Sequence, residues 1–259
     1  MTAGILSAAL ALSALLALPL AVAAQGRPAT PVPGGARQMV VVTTEGWDTV
    51  RGTLRRFERR SARSAWRPVG DPVPVVVGRS GMAWGIGLHG DAAPAGGPVK
   101  REGDGRAPAG AFRLGSAFGY APAAEVPWIR LPYLHSTDSW RCVDDVKSAH
   151  YNRVVDSAAV AKDWTGNVER MRLDTDQYRL GVVVEHNWAA QTRPGGGSCI
   201  FLHIWKAHDQ GTAGCTAMDP ADMERLLRWL DPARAPVLVQ LTEPGYDSLR
   251  ASWKLPRLR

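Results

Sequence analysis

The chain has 259 residues, of which 45% are hydrophobic and 21% are charged, and its formal net charge is +7. This composition excludes a disordered polymer, and the length allows one or two domains, one being comfortable for a β-rich fold. In an exported protein, such a positive charge favours anionic surroundings such as a cell wall or a membrane surface.

Residues 1–24 have the pattern of a cleaved secretory signal peptide. Ile5 to Leu20 is an apolar run rich in Ala and Leu, and Ala21 and Ala23 supply small residues for cleavage. The run is too short for a comfortable membrane span of about 20 residues. No Lys or Arg precedes it, so an uncleaved anchor and a buried helix are the alternatives. We expect an exported protein, in the periplasm or cell wall, with no stable membrane span after cleavage.

Residues 25–38 are rich in Pro and Gly, which predicts a flexible lead-in. Residues 39–43 and 53–59 are predicted strands, paired through a turn near Gly46. The region around the second strand is strongly basic, through Arg51, Arg55, Arg56, Arg59, Arg60, Arg63 and Arg67. A solvated edge strand protected by charge explains this cluster, and attraction to anionic polymers is the alternative. Nothing resembles a nucleic-acid-binding motif, so we expect no nucleic-acid partner.

Residues 102–105, Glu-Gly-Asp-Gly, superficially suggest a cation-binding loop but lack the carboxylate spacing of an EF-hand. We interpret them as a tight turn before a strand at residues 111–114. Residues 140–156 form a polar, aromatic loop, which either orders substrate or is purely structural. The loop contains three carboxylates, Asp144, Asp145 and Asp156. No His or Cys lies at metal-ligand spacing around these carboxylates. We expect no metal and no cofactor.

The stretch from Ser198 to Met218 organises the rest of the chain. Its first part, residues 198–205, is rich in β-branched and aromatic residues and follows three glycines, so it predicts a strand. Alternation then places on one face Cys199, Phe201, His203 and Trp205. A polar loop follows, and then a turn of small residues that contains Cys215.

A helix is predicted directly after this turn. Asp219 is its N-cap, Pro220 occupies the first helical position, and apolar residues follow at helical spacing. Strands are predicted on either side of the stretch, at residues 181–186 and 236–242. The fold class is therefore mainly β, with a helix following the Cys215 turn.

A histidine on a strand and a cysteine before a helix are the parts that thiolate catalysis needs. A nearby imidazole and a helix dipole lower a thiol pKa toward neutrality. Gly214 allows a close backbone approach, and its N–H and that of Cys215 are candidates to face an oxyanion. No side chain stands out as a third member, so we expect a backbone carbonyl to orient His203. The alternative is that Cys215 is a small buried structural residue and that His203 is a core histidine with its hydrogen bonds satisfied.

The pattern His203-Ile204-Trp205, then Thr212-Ala213-Gly214-Cys215, resembles the active-site motif of the L,D-transpeptidase (YkuD) family. Residues 100–112 resemble the upstream Gly…Thr-Pro-x-Gly-x-Phe segment of that family. The chain departs from the family pattern in having Ala107 for Thr, Ala213 for His, and Thr216-Ala217 after the cysteine. The resemblance runs from roughly Val75 to Thr242, and it implies an L,D-transpeptidase-like β-sandwich or barrel.

The resemblance implies a cysteine-dependent acyltransferase that acts on peptidoglycan stem peptides. Cys215 attacks an amide carbonyl after a diaminopimelate or Lys residue, His203 shuttles the proton, and Gly214 and Thr212 support the turn and the oxyanion. An amine acceptor then gives transpeptidation, and water gives carboxypeptidation. The alternative is a wall-binding protein that has the same fold but is catalytically weak or inactive. A papain-like amidase is disfavoured, because that family places Cys near the mature N-terminus and His far downstream.

The three cysteines of an exported protein predict one disulfide. Cys215 must be reduced to act, which leaves Cys142 and Cys199 as the pair; two free, buried thiols are the alternative. We place the catalytic domain at residues 39–245 and a basic tail at residues 246–259, for which no role is predicted.

Overall fold

The computed structural model describes Met1 and residues 30–94, 96–166 and 168–258. The predicted signal peptide beyond Met1, and the start of the lead-in, lie outside the described residues. None of the helices within these ranges is long and apolar enough to cross a membrane.

Strands dominate the regular structure. In chain order they are β1 (Gln38–Thr44), β2 (Arg51–Glu58), β3 (Arg67–Val76), β4 (Met82–Trp84), β5 (Ala107–Gly119), β6 (Tyr133–His135), β7 (Trp140–Cys142), β8 (Val154–Asp156), β9 (Glu169–Arg170), β10 (Leu180–Val184), β11 (Phe201–Ile204), β12 (Thr216–Met218) and β13 (Val237–Thr242). The α-helices in the described ranges are α1 (Pro220–Trp229) and α2 (Glu243–Leu249). Short 3-10 helices lie at Ala123–Glu125, Asp176–Tyr178, Ala189–Gln191 and Pro232–Arg234.

The strands close into a barrel, so the mainly β prediction is confirmed. The order around the barrel is β10, β11, β12, β3, β2, β1, β13 and β5, and β5 then pairs with β10. Closure depends on the length of β5, which pairs with β13 through residues 110–113 and with β10 through residues 114–119. The pairs β1–β13 and β11–β12 are parallel.

The basic strand β2 is not an edge strand, contrary to the sequence-based interpretation. It pairs with β1 on one side and with β3 on the other. Leu54 and Phe57 are buried, whereas Arg55 and Arg56 are partly exposed. The charge pattern identifies an outer face of a strand, but it does not identify the neighbours on either side.

The described part of the predicted lead-in is packed rather than flexible. Val32 and Ala36 are buried. Arg59, itself buried, donates from Nε to the carbonyl of Ala36 at 2.6 Å and from Nη2 to that of Pro33 at 3.0 Å. Its guanidinium also lies over the Trp66 ring, 4.3 Å from the centroid. This arginine gives a segment without regular structure a fixed set of partners.

The predicted boundary between domain and tail, after residue 245, falls inside α2. The segment that follows contributes Trp253 and Leu255 to the core. Thr30 Oγ1 donates to the carbonyl of Trp253 at 2.7 Å, which joins the two ends of the described chain. The tail is therefore part of the packed domain.

A second, three-stranded sheet in the order β8–β7–β9 forms where the sequence predicts a polar loop. These strands have two or three residues each, too few to give an alternating pattern. A disulfide between Cys142 of β7 and Cys199, just before β11, ties this sheet to the barrel, with the two Cα atoms 5.9 Å apart.

Candidate active site

The parallel pair of strands β11 and β12 brings Cys215 and His203 to one cavity. His203 lies on β11, and Cys215 is the last residue of the connection that returns to β12. Both residues line a cavity of about 360 Å3. Thr212 and Gly214, the predicted supporting residues, line it as well.

A hydroxyl group organises the turn that presents Cys215. Thr212 Oγ1 donates to the carbonyl of Cys215 at 2.7 Å and accepts from the N–H of Gly214 at 3.1 Å. The Gly214 N–H is therefore engaged inside the turn and does not face an oxyanion position in this structure. The packing at position 214 is close, because a Cβ there would lie 3.1 Å from the carbonyl oxygen of Arg106, which favours glycine.

The imidazole of His203 is held by a backbone carbonyl. Nδ1 lies 2.8 Å from the carbonyl oxygen of Ile204, which can only accept, so Nδ1 carries the proton and Nε2 keeps its lone pair. The Tyr178 ring packs edge-on against it at 5.1 Å. Burial lowers the pKa of His203 to about 4, and the carbonyls of Ile204 and Gln177 oppose that shift. At neutral pH the group is a neutral base.

Cys215 is a buried thiol. Its Sγ accepts from the N–H of Phe201 at 3.3 Å and donates to the carbonyl of Cys199 at 3.5 Å. Burial raises the pKa of this thiol well above its usual range, and the nearby Glu169 carboxylate adds to the shift. The Phe201 N–H and the Lys100 ammonium act in the opposite direction.

The expectation that a helix dipole lowers the pKa of Cys215 is therefore wrong. The strand β12 separates Cys215 from Asp219, the N-cap of α1. Four residues of extended chain span roughly 13 Å, whereas a helix terminus acts over about one turn. In the resting state the cavity thus holds a neutral thiol and a neutral imidazole, not a thiolate–imidazolium pair.

Sequence reasoning missed the acidic side of the cavity. Glu169 on β9 accepts a hydrogen bond from the Tyr178 hydroxyl. Burial raises the pKa of Glu169 to about 7; Tyr178 opposes this, while Asp144 and Glu102 add to it. These residues come from separate irregular segments, so only the folded chain brings them together.

The disulfide holds this acidic side in place. Cys142 pairs directly with Glu169 in the small sheet, and Cys199 lines the same cavity as Cys215. The Cys199 N–H donates to Asn152 Oδ1 at 2.9 Å. The amide nitrogen of Asn152 donates in turn to the carbonyls of His186 and Asn187, at 2.9 and 2.6 Å. Cys199 is thereby fixed through both its backbone and its side chain.

Nothing in the described ranges gathers three or more His, Cys, Asp or Glu side chains in an arrangement that would hold a metal ion. The cavity contains a candidate nucleophile and a candidate base, with charged groups of both signs on its walls.

Comparison with known families agrees with the geometry of the site. A family model described as the L,D-transpeptidase catalytic domain (YkuD) matches residues 36–239. No curated protein and no solved structure matches the chain. The match begins well before Val75, where the motif resemblance starts, because it includes β1, β2 and β3. Since it also covers most of the barrel and both residues of the candidate pair, the chain belongs to the L,D-transpeptidase catalytic domain (YkuD) family.

Proposed function

We propose that the protein is an exported L,D-transpeptidase or L,D-carboxypeptidase that acts on peptidoglycan stem peptides through Cys215. Family membership supports the reaction class. The observation that carries the residue assignment is that Cys215 and His203 line one cavity while the Nδ1 of His203 is engaged with a carbonyl. Nε2 is then the nitrogen available as base. The periplasm or the cell wall is the proposed location.

The proposed reaction starts from the neutral pair. Nε2 of His203 takes the Sγ proton as the sulfur of Cys215 attacks an amide carbonyl, so that the thiolate forms only when substrate is present. The tetrahedral intermediate collapses when the imidazolium gives its proton to the leaving amine, and a thioester remains on Cys215. An amine acceptor or water then attacks the thioester, His203 again takes the proton, and the thiol is restored.

Digestion of purified sacculi followed by muropeptide analysis tests the proposal. Wild-type protein should trim or cross-link stem peptides, and Cys215→Ala should abolish this. His203→Ala should lower the rate at least ~100-fold, the scale of a positioned acid–base. His208→Ala is the matched control, because this exposed histidine lies in the same connection and does not line the cavity. Wild-type activity in Cys215→Ala would contradict the assignment.

A wall-binding protein without catalysis is the second candidate. Two observations favour it: burial raises the pKa of the Cys215 thiol, and the Gly214 N–H is engaged by Thr212. This hypothesis predicts that the protein co-sediments with sacculi, that muropeptides stay unchanged, and that Cys215→Ala binds as wild type does. Adding a free D-amino acid to the assay separates the two enzymatic outcomes, since only a transpeptidase incorporates it.

A further inference from the structure

A buried lysine lies beside the Cys215 turn and has no part in the mechanism described so far. The side chain of Lys100 is only 4% exposed. Its Nζ donates to Asp104 Oδ1 at 2.6 Å and to the carbonyl of Arg101 at 3.0 Å. Burying an ammonium is costly, and one carboxylate that is itself partly exposed offsets this only in part. A surface position for this lysine would avoid that cost.

The path of the side chain carries the ammonium to the Cys215 turn. A Cβ at Gly197 would lie 2.9 Å from Lys100 Cε, so the stem runs tightly under that residue. At the far end, a Cβ at Gly214 would lie 3.8 Å from Nζ. Lys100 also lines the cavity that contains Cys215.

The site needs positive charge at this point. The Gly214 N–H, a candidate oxyanion donor, is engaged by the Thr212 hydroxyl. Glu102 and Glu169 line the same cavity, and each repels new negative charge when it is ionised. Glu102 already accepts from Ser198 Oγ at 2.7 Å and from the Tyr151 hydroxyl.

We propose that the Lys100 ammonium stabilises the negative charge that develops on the Cys215 sulfur and on the substrate oxygen beside Gly214. Lys100 keeps its proton throughout, and no bond forms to it. Its electrostatic attraction lowers the free energy of the thiolate and of the oxyanion relative to the neutral resting state. The oxyanion part rests on the proposed function, whereas the thiolate part does not.

A purely structural role is the competing explanation. The Lys100–Asp104 ion pair fixes the turn at residues 101–106, where Asp104 also accepts from the N–H groups of Arg101 at 2.8 Å and Arg106 at 2.9 Å. If the ion pair matters only for this turn, removal of either partner has the same effect on Cys215. If the ammonium acts on Cys215, the two removals have opposite effects.

The test measures the rate of alkylation of Cys215 by iodoacetamide as a function of pH. Cys215 is the one free thiol of the protein, since the other cysteines form the disulfide. The other titratable or charged groups facing the site are the following: Glu169 on β9, His203 on β11, Tyr178, Glu102, Asp144 and Arg79, with His186 and Asp104 beside Lys100. These remain the same in wild type and in Lys100→Met, so the comparison isolates the ammonium.

At a fixed pH between 7 and 9, Cys215 in Lys100→Met should be alkylated roughly tenfold more slowly than in wild type. Asp104→Asn leaves the Lys100 ammonium without its carboxylate partner, so the alkylation rate of Cys215 in that variant should increase. In Lys100→Arg, which keeps the positive charge, the alkylation rate of Cys215 should stay near that of wild type. The ratio of iodoacetate to iodoacetamide rates should fall in Lys100→Met, because the anionic reagent loses its attraction. A change in turn structure alone does not select between reagents by charge.

The proposal would be overturned if Cys215 were alkylated equally slowly in Lys100→Met and in Asp104→Asn, with an unchanged ratio of the iodoacetate rate to the iodoacetamide rate. Should Lys100→Met fail to fold, Asp104→Asn alone decides, since a slower rate in that variant contradicts the proposal. The assay contains no peptidoglycan. An inactive wild type on sacculi with the predicted alkylation pattern would refute the proposed function and the oxyanion part of this inference, and leave its thiolate part standing.

Discussion

His203 is buried, and its Nδ1–H donates to the carbonyl of Ile204. Burial is the larger of the influences on this imidazole and lowers its pKa to about 4. Cys215 is buried too, and burial raises the pKa of its thiol. Both shifts disfavour charge, so the free energy of forming the ion pair must come from substrate and from the cations of the cavity.

The pH dependence of the reaction should reflect the shifted base. A histidine of ordinary pKa gives an acid limb in kcat/KM near 6.5. Here the base form persists down to about pH 4, so the acid limb of stem-peptide turnover should lie near 4 rather than 6.5. Measurement of kcat/KM from pH 3.5 to 8 on a soluble tetrapeptide substrate checks this. An acid limb centred near 6.5 that persists in Glu169→Gln, and so does not come from the carboxyl of pKa about 7, would show that His203 is solvated in the free enzyme.

The sequence predicted the residues of the Cys215 turn because they are contiguous. Thr212, Gly214 and Cys215 lie within four positions, and His203 lies on the strand just before them. Lys100, Glu169 and Tyr178 come from segments without periodic patterns, and each approaches the site only through the tertiary fold. A buried lysine is indistinguishable from a surface lysine in the sequence, because burial is decided by chain packing.

Among the elements, β12 has the largest consequence for the predicted chemistry. It has three residues, which is too short for a sequence pattern, so residues 216–218 were predicted as part of the turn before the helix; the predicted helix start, with Asp219 as N-cap and Pro220 first, is the one observed. In the structure β12 pairs with β11 and with β3, and these pairings hold the chain just after Cys215. The strands β1 and β13 were predicted within one residue because their apolar runs are long enough to recognise, whereas β5, which spans 13 residues, was predicted only at residues 111–114.

Removal of the Asp219 N-cap of α1 should therefore lower the stability of the protein without changing the reactivity of the Cys215 thiol. Asp219 Oδ1 accepts from the N–H of Ala221 at 2.9 Å, and its loss in Asp219→Ala should cost about 1 kcal/mol. The alkylation rate of Cys215 per folded molecule should stay unchanged, because β12 lies between the helix and the thiol. Asp219→Asn, which keeps an acceptor, is the matched control. A slower alkylation at full folding would show that the helix positions the turn after all.

The disulfide is the covalent link between the small sheet and the barrel. It closes a loop with a sequence separation of 57, for which chain entropy gives ~4 kcal/mol of stabilisation. The double variant Cys142→Ser/Cys199→Ser should lower the free energy of unfolding by about 2–4 kcal/mol, in denaturant titrations.

Titration of thiols in protein purified from its native source without reductant provides the control for this prediction. One reactive thiol after denaturation without reductant, at Cys215, is the expected count. Three thiols would show that the bridge does not form in the natural compartment. A single substitution such as Cys142→Ser is less informative, because it leaves Cys199 free to react elsewhere.

At the scale of the whole molecule, the segment that begins at Thr30 packs against the segment around Trp253. The sequence could not predict this, since a Pro- and Gly-rich start and an Arg-rich end are typical of flexible segments. Both are instead held by long-range contacts. Thr30 bonds to the carbonyl of Trp253, and the Tyr246 hydroxyl donates to the carbonyl of Pro256 at 2.8 Å.

Deletion of residues 250–259 should therefore destabilise the barrel through lost packing rather than lost charge. Trp253 and Leu255 are 6% and 7% exposed, and the Trp253 ring contacts those of Trp84 and His89 at 6.4 and 5.7 Å. Burial of each such side chain contributes about 1.5–3 kcal/mol, so the truncated protein should lose roughly 3–6 kcal/mol in urea unfolding. The control Arg250→Ala/Arg257→Ala removes two charges and keeps both apolar residues, and it should stay within about 0.5 kcal/mol of wild type. If the control loses as much stability as the truncation, then the positive charge of the tail, and not its apolar contacts, is what the barrel requires.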